Sequence, residues 1–381
     1  MEKTMLGFGM MRLPVVGGPT DFDYRQLDAM VDRFLEAGYT YFDTSFVYHN
    51  GKSEEATRNA VVLRHPRNAF TIATKFPTFA ISSEEQVEPI FSQQLKNLGV
   101  EYVDYYLLHN LQTRYYDGVD GKGTGIVKSA HLFEHAMRWK EEGKIKHLGF
   151  SFHSSAKELD KILSEHPEAE FVQIALNYID WDSELVQAKE CYEVIRKHGK
   201  RVIIMEPVKG GFLANLPKVA ADILRQAEPD KSQASWAIRF AAGLEGVLAV
   251  LSGMSSLKQV EDNVKTMQGM KPLDGNEHAV LRNAIDAARD SGTYPLSFIS
   301  QFKGMVYHGM PVTAILQEAN ILPLLPDPGF ADDNNYPTNT IAESLHKTIK
   351  DSFPEEKVVV GGKEYTAEIR KAFESIKSKS F

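Results

Sequence analysis

Cysteine is almost missing from this chain: Cys191 is the only one in 381 residues. A lone thiol excludes an internal disulfide, a thiolate zinc site and a cysteine-ligated iron-sulfur cluster. No iron-sulfur cluster is therefore expected, and redox chemistry would have to come from a diffusible cofactor. Long apolar runs are also lacking. No stretch approaches the roughly 20 residues that span a bilayer, and Met1-Glu2-Lys3-Thr4 leads into structured-looking sequence with no signal-peptide core. The expectation is a cytoplasmic protein with no membrane partner. Basic charge is not in excess either: 43 Lys and Arg against 51 Asp and Glu leave a net charge of -8, which argues against a nucleic-acid surface. What remains is a globular composition, 43 % apolar and 25 % charged, long enough for two or three domains or one large barrel with an appendage. The expected partner is a small molecule, and the composition says nothing of oligomeric state.

Short β-branched or aromatic runs alternate with segments of helical period. Eight runs are visible: Leu6 to Arg12, Tyr39 to Asp43, Phe70 to Lys75, Val103 to Leu108, Lys146 to Ser151, Phe171 to Leu176, Val202 to Met205 and Val247 to Ser252. Between the first two, Leu27, Met30, Val31, Phe34 and Leu35 share one face of a helix over 24–37 that Gly38 stops. The stretch 87–98 before Gly99 and the stretch 130–142 before Gly143 repeat the pattern. Eight strand and helix pairs in about 270 residues are the arithmetic of a (β/α)8 TIM barrel, an α/β fold. The competing doubly wound sheet would announce a nucleotide site as G-x-G-x-x-G. Gly7-Phe8-Gly9 starts that fingerprint, but Arg12 fills the third glycine position, so these glycines are read as relieving crowding in a barrel strand. Gly51-Lys52-Ser53 likewise fails as a P-loop, because Phe46 stands where the upstream glycine belongs.

Barrel enzymes build their sites at the C-terminal ends of the strands. Asp43 ends the second run, Tyr48 follows it, Lys75 ends the third and His109 closes the fourth, so four ionisable groups interrupt apolar strands at the same end. A tyrosine hydroxyl, with an ordinary pKa of about 10, donates a proton poorly at neutral pH unless a cation stabilises its phenolate. Lys75 is placed to supply that charge, Asp43 to pair with the ammonium, and His109 to hydrogen-bond a substrate oxygen. Such a set protonates a carbonyl. A metal site on Asp43 and His109 is the alternative, without the further ligands it would need.

At this point the sequence resembles the aldo/keto reductase superfamily, over roughly residues 5 to 267. The matching pieces are Leu6-Gly7-Phe8-Gly9, Phe42-Asp43-Thr44-Ser45-x-x-Tyr48 with Asn50-Gly51-Lys52-Ser53-Glu54, Thr74-Lys75, Asp104-Tyr105-Tyr106-Leu107-Leu108-His109, Gly143-Lys144-Ile145-Lys146-x-x-Gly149-Phe150-Ser151, Gln173-Ile174-x-x-Asn177-Tyr178 and Gln259-Val260-Glu261-Asp262-Asn263. The resemblance implies an NADP(H)-dependent enzyme that reduces an aldehyde or ketone to an alcohol, with the catalytic tetrad on Asp43, Tyr48, Lys75 and His109 and with Tyr48 as general acid. A barrel that keeps the cofactor as a redox sensor or assembly subunit is the second reading.

The resemblance also implies cofactor contacts. Ser151 and Gln173 would hold the nicotinamide carboxamide, with Phe152 where an asparagine is usual; Met205 would cover the ring in place of a tyrosine. Lys209, Gly210 and Gly211 fall where relatives fold a loop over the pyrophosphate, while Gly253, Met254, Ser255, Gln259 and Asn263 match the adenosine end. Ser255 replaces the arginine that many relatives use for the 2'-phosphate, with Lys258 as the available substitute, so NADP is implied and NAD stays possible. Gly149 to His153 and Met205 to Gly211 are similar to a subgroup that often carries a C-terminal ferredoxin-like region with clustered cysteines, which this tail lacks.

The expected division is a barrel over 1–270 and an extension over 271–381. In the extension a helix is predicted over 273–288, a Pro, Asp and Asn-rich loop over 322–337, and helices over 340–352 and 366–378. Phe298, Ile299, Phe302, Met305, Val306, Ile315, Leu316, Ile321 and Leu322 are too many large apolar side chains to leave in water, which predicts a docked segment over about 294–325.

Overall fold

The computed structural model describes residues 5–118, 125–184, 186–321, 324 and 356–377. Eight parallel strands follow one another around a closed barrel: β1 (Met5–Gly9), β2 (Tyr41–Asp43), β3 (Thr71–Phe76), β4 (Val103–Leu111), β5 (Ile145–Phe152), β6 (Phe171–Ala175), β7 (Arg201–Met205) and β8 (Val247–Gly253). The eight runs read from the sequence are these strands. Their near-continuous apolar character follows from burial on both faces. Pairing of β1 with β8, from Met5↔Ala249 to Gly9↔Gly253, closes the ring. Tyr41, Ala73, Leu107, Phe171, Ile203, Ala249 and Leu251 form one buried cluster contributed by strands around it. A Cβ added at Gly7 would stand 2.5 Å from Leu251 Cδ2 and 3.2 Å from Tyr41, so crowding explains this glycine where a nucleotide fingerprint does not.

The helix Tyr24–Glu36 buries Leu27, Met30, Val31 and Phe34, as its period predicts. Asp23 caps it by accepting from the Gln26 N–H, and Gly38 ends it in the left-handed region at φ 85°. The helices Val87–Leu98 and Leu132–Glu141 are likewise followed by Gly99 and Gly143, at φ 68° and 74°. Among the described residues no helix is long and apolar enough to cross a membrane.

The chain forms two compact units: Met1–Leu176, Lys189–Pro207 and Ala241–Pro272 make one, and Asn177–Ala188, Val208–Phe240 and Leu273–Phe381 make the other. The division is more interleaved than a cut at residue 270, because the extension shares a core with two earlier segments. In the second unit Tyr178, Ile179, Phe212, Leu213 and Trp236 are buried in one cluster with Leu281, Ile299, Phe302, Tyr307, Ile315 and Leu316. The predicted 273–288 helix is Gly275–Asp290, closed at its start by a capping box between Asp274 and Glu277. Ile299, Phe302, Ile315, Leu316 and Ile321 enter this core, with Phe298 and Met305 packed against it, and Ile369, Ala372, Phe373 and Ile376 join them from Thr366–Lys377. Val306, expected to be buried with them, is 56 % exposed, and Leu322 lies outside the described residues. The predicted helix over 340–352 and nearly all of the predicted loop over 322–337 lie outside the described residues.

Phe302 is fully buried and meets Phe298 and Tyr365 edge-on. Phe302→Ala is expected to destabilise the protein by about 3 to 5 kcal/mol, the scale for deleting a buried aromatic ring. Truncation after Gly292 is expected to leave an insoluble or much less heat-stable chain. Denaturant midpoints and thermal melting check both; unchanged melting after truncation would show that the extension's core contributes nothing.

Candidate active site

Asp43 is the last residue of β2 and pairs in register with Ala73 of β3, two residues before Lys75 on the same strand. The Lys75 ammonium donates to Asp43 Oδ1 at 2.5 Å and to the Thr44 carbonyl at 2.8 Å. Lys75 is 0 % exposed and Asp43 3 %. Burial works against the lysine charge, but Asp43 and the Tyr48 oxygen outweigh it and lift the ammonium above its ordinary pKa. Burial also raises the Asp43 carboxyl, with Lys75 pulling the other way. The pair is a fixed cation at the end of the barrel strands.

Tyr48 opens a tight turn in which His49, Asn50 and Gly51 all take left-handed φ values of 50°, 53° and 79°. Such a conformation strains His49, which is held at both ring nitrogens. Nδ1 lies 2.7 Å from the Pro19 carbonyl, which only accepts, so Nδ1 carries the hydrogen and Nε2 accepts the Leu13 N–H at 3.2 Å. The turn places the Tyr48 ring centroid 4.8 Å from Lys75 Nζ and 6.0 Å from the His109 ring. All four residues expected in the tetrad are thus neighbours in this structure.

The electrostatics depart from expectation in one respect. Lys75 does favour the phenolate, yet burial outweighs it, and Asp43 and Glu206 add to the burial, so the Tyr48 hydroxyl lies above its ordinary pKa. His109 is driven well below its ordinary value by burial, by Lys75 and by His153. His153, just beyond β5, is lowered to about 4 by burial and Lys75. Both imidazoles are neutral at neutral pH. Ser45 Oγ lies 3.3 Å from His109 Nδ1, and Thr78 donates to the His109 carbonyl.

The residues expected at the nicotinamide share the barrel unit. Ser151 Oγ accepts the Asn110 N–H at 2.8 Å, Gln173 pairs in register with Ser151, and Gln173 Nε2 lies 3.4 Å from the Met205 sulfur. Gln173 Oε1 and Asn110 Oδ1 are buried without a hydrogen-bond partner. Two orphaned acceptors suit a ligand that brings N–H groups, which a carboxamide does. Asn110, at φ 59°, and Ser45 were not singled out from sequence. The only signals were their places beside His109 and Asp43, with asparagine tolerating the left-handed region.

At the adenosine end, Gln259 Oε1 accepts the Ser255 N–H at 2.7 Å and lies 3.2 Å from Ser255 Oγ. Asn263 is buried and donates to Ser252 Oγ at 2.7 Å. Gly253, Ser255 and Lys258 are exposed around the start of the helix Leu257–Met267, which Ser256 caps. Lys209 and Gly211 belong to the second unit. Lys209, at φ 44°, is 0 % exposed, and its ammonium contacts Asp180 Oδ1 and Oδ2 at 2.7 and 2.8 Å and Glu318 Oε1 at 3.8 Å. A lysine sealed between two carboxylates does not offer its charge to a pyrophosphate, so Lys209 is not the phosphate contact that the sequence led one to expect. Gly210 and Gly211 continue its turn at φ 60° and 93°.

Known proteins are similar to this chain in sequence and in fold. A curated aldo-keto reductase from Mycolicibacterium vanbaalenii is 30 % identical over 275 residues, 69 % of this chain and 88 % of that one. An L-galactose dehydrogenase from Arabidopsis thaliana is 22 % identical over 290 residues, 72 % of this chain and 87 % of its own length. Among solved structures, the fold matches an aldo-keto reductase from Bacillus halodurans in its holo form, with TM-score 0.56, 23 % identity and coverage of 73 % of this chain and 91 % of that one. It also matches one from Klebsiella pneumoniae in complex with NADPH, with TM-score 0.57, 18 % identity and coverage of 74 % and 95 %. The model of the aldo/keto reductase family matches residues 5–286, which include all eight barrel strands and their polar ends. This chain therefore belongs to the aldo/keto reductase family of oxidoreductases.

Proposed function

We propose that the protein catalyses the reversible reduction of an aldehyde or ketone to an alcohol, with NADPH as hydride donor and Tyr48 as proton donor. The observation that carries this reading is the buried Lys75–Asp43 ion pair beside Tyr48 and His109. When bound, NADPH supplies the hydride. Ser151, Gln173 and Asn110 are the residues that would hold its carboxamide, Met205 would cover the ring, and Gly253, Ser255, Gln259 and Asn263 would take the adenosine end. Tyr48, with its pKa raised, carries its proton throughout the neutral range. Giving that proton to a carbonyl oxygen leaves a phenolate, whose charge the fixed Lys75 ammonium offsets. Asp43 keeps the ammonium charged and aimed. His109, neutral and held at Nδ1 by Ser45, presents Nε2 to the substrate oxygen; with Ser45 donating, Nε2 bears the hydrogen and steadies developing negative charge.

Tyr48→Phe is expected to lower turnover about 100-fold or more while NADPH affinity barely changes, the scale for removing a general acid. Stopped-flow oxidation of bound NADPH by a panel of small aldehydes reads it directly. Near-normal turnover in the variant would overturn the assignment, and cofactor held without consumption by the parent protein would return the sensor reading.

NADPH is expected to bind more tightly than NADH, by a modest margin, because Lys258 on a flexible stem pairs with a phosphate less directionally than a guanidinium fork does. Ser255→Arg should widen the preference. Fluorescence titration of both cofactors in low and high salt checks this, and equal affinities at low salt would count against it.

The neutral histidines also set an acid limit on stability. A histidine whose folded pKa is lowered binds fewer protons folded than unfolded, so its contribution to stability is whole above the ordinary value of 6.5 and is lost as pH falls toward about 4. Melting temperature should fall across that window. His153→Gln should flatten the fall, and an unchanged slope would show that His153 is not buried as a neutral group.

A further inference from the structure

Segment Asn50 to Glu54 after Tyr48 adds no group to the site described above, yet Glu54 is 0 % exposed. Among the described residues no cation lies within ion-pair distance of it. Three neutral donors converge on its carboxyl group instead. Thr74 Oγ1 and Gln94 Nε2 donate to Oε1 at 2.7 and 3.0 Å, and Asn97 Nδ2 donates to Oε2 at 3.0 Å. The orientation of Gln94 is not arbitrary. Its Nε2 also faces the Lys75 carbonyl at 3.0 Å, and a carbonyl only accepts, so the atom there is the amide nitrogen. Tyr106 O–H closes the other end by donating to Gln94 Oε1 at 2.6 Å. The second hydrogen of the Gln94 amide therefore points at Glu54, and every neighbour of the carboxyl group brings a hydrogen to it. That donor set suits a carboxylate. Gln94, Thr74 and Tyr106 are themselves fully buried, and only Asn97, half-buried, reaches the network from the outside.

We propose that Glu54 is a positioning residue for Lys75: through Gln94 it fixes the backbone at the end of β3, and its carboxylate adds a second negative charge behind the ammonium. Resting on the reading of Tyr48 as proton donor, the proposal gives the network a task in the reaction. The charged and titratable groups around Lys75 are Asp43 from β2, Tyr48 from the turn after it, His109 from β4, His153 beyond β5, and Glu54. The two histidines are neutral, so Asp43 and Glu54 are the anions that balance the lysine. Burial raises the Glu54 carboxyl, while the Asn97, Thr74 and Gln94 hydrogen bonds and the Lys75 charge oppose it. Burial, with the charges of Glu54 and Glu88 adding to it, raises Tyr106 well above its ordinary value, so it stays protonated as the donor the network requires.

The test uses the full-length protein with saturating NADPH and compares Glu54→Gln, which removes the charge at constant shape, with Gln94→Met, which removes the bridge and keeps the charge. Turnover against pH, cofactor dissociation constant and melting temperature are measured for each. Removing a negative charge makes the proton of the Tyr48 and Lys75 pair easier to lose, so the alkaline limb of the turnover profile in Glu54→Gln should move down by about half a pH unit or more. Turnover should fall about 10-fold in both variants, the scale of a small misplacement of a reacting group, with cofactor affinity unchanged. A lower melting temperature with turnover per folded molecule and the alkaline limb both unmoved would overturn the proposal and leave Glu54 a purely structural residue. If Glu54→Gln fails to fold, Gln94→Met together with Tyr106→Phe decides: normal turnover in both rejects the proposal, and loss of turnover at constant cofactor affinity supports it. An active Tyr48→Phe would instead show that the underlying reading has failed, whereas an inactive Tyr48→Phe with an unmoved Glu54→Gln profile sinks the Glu54 role alone.

Discussion

The ion pair between Lys75 and Asp43 is the constraint around which the barrel end is organised. Two opposite charges taken fully out of water recover their hydration only if geometry is good and the remaining hydrogen-bonding capacity is used. Here β2 and β3 pair in parallel so that Asp43 lies opposite Ala73, and the lysine two residues further along reaches back to both the carboxylate and the Thr44 carbonyl. Strand register, not side-chain flexibility, sets the distance. That is why the pair belongs on a closed barrel, whose strands cannot slide without moving every neighbour.

Burial and one fixed cation together set the protonation of the groups near it. Burial penalises a charged imidazole and the Lys75 ammonium adds to the penalty, so His109 and His153 are neutral. Tyr48 feels opposing influences from burial and from Lys75, and burial prevails in the free protein. A tyrosine loaded with its proton, next to a lysine that cannot give its charge away, is poised in one direction: losing the proton becomes easy only when another atom accepts it at that position. Burial keeps the proton on Tyr48 at rest, and under the proposed reaction the Lys75 charge would stabilise the phenolate left by its transfer.

The strands, the helices between them and the four polar strand ends were legible because periodicity and position report on burial and on the barrel end directly. Each of Asp43, Tyr48, Lys75 and His109 breaks an apolar run at a place where only solvent or a site can receive it. Roles that depend on distant partners were not legible in this way. Lys209 follows a strand and precedes two glycines, and nothing local distinguishes a phosphate ligand from a lysine destined for Asp180 and Glu318. Asn110 and Ser45 were hidden for a different reason: their neighbours in sequence are the candidate catalytic residues, and an orphaned acceptor such as Asn110 Oδ1 exists only once the fold has surrounded it.

The second unit shows how a buried charge can specify a packing arrangement that apolar contacts leave loose. The helix Val312–Ile321 buries Val312, Ala314, Ile315, Leu316, Ala319 and Ile321, a pattern wide enough to suit more than one rotation about its axis. Glu318 is its one ionisable side chain, and it too is buried. Any rotation or slip that moved Glu318 away would leave Lys209 with one carboxylate fewer and strand Glu318 in an apolar core, at several kcal/mol for an uncompensated buried ion. Burial raises the Glu318 carboxyl, with Lys209 opposing and the charge of Asp180 adding to it. Apolar area supplies the force that buries the extension, and the Lys209, Asp180 and Glu318 cluster selects which of the possible burials is the native one, while holding Lys209 in a left-handed turn that its side chain would otherwise disfavour.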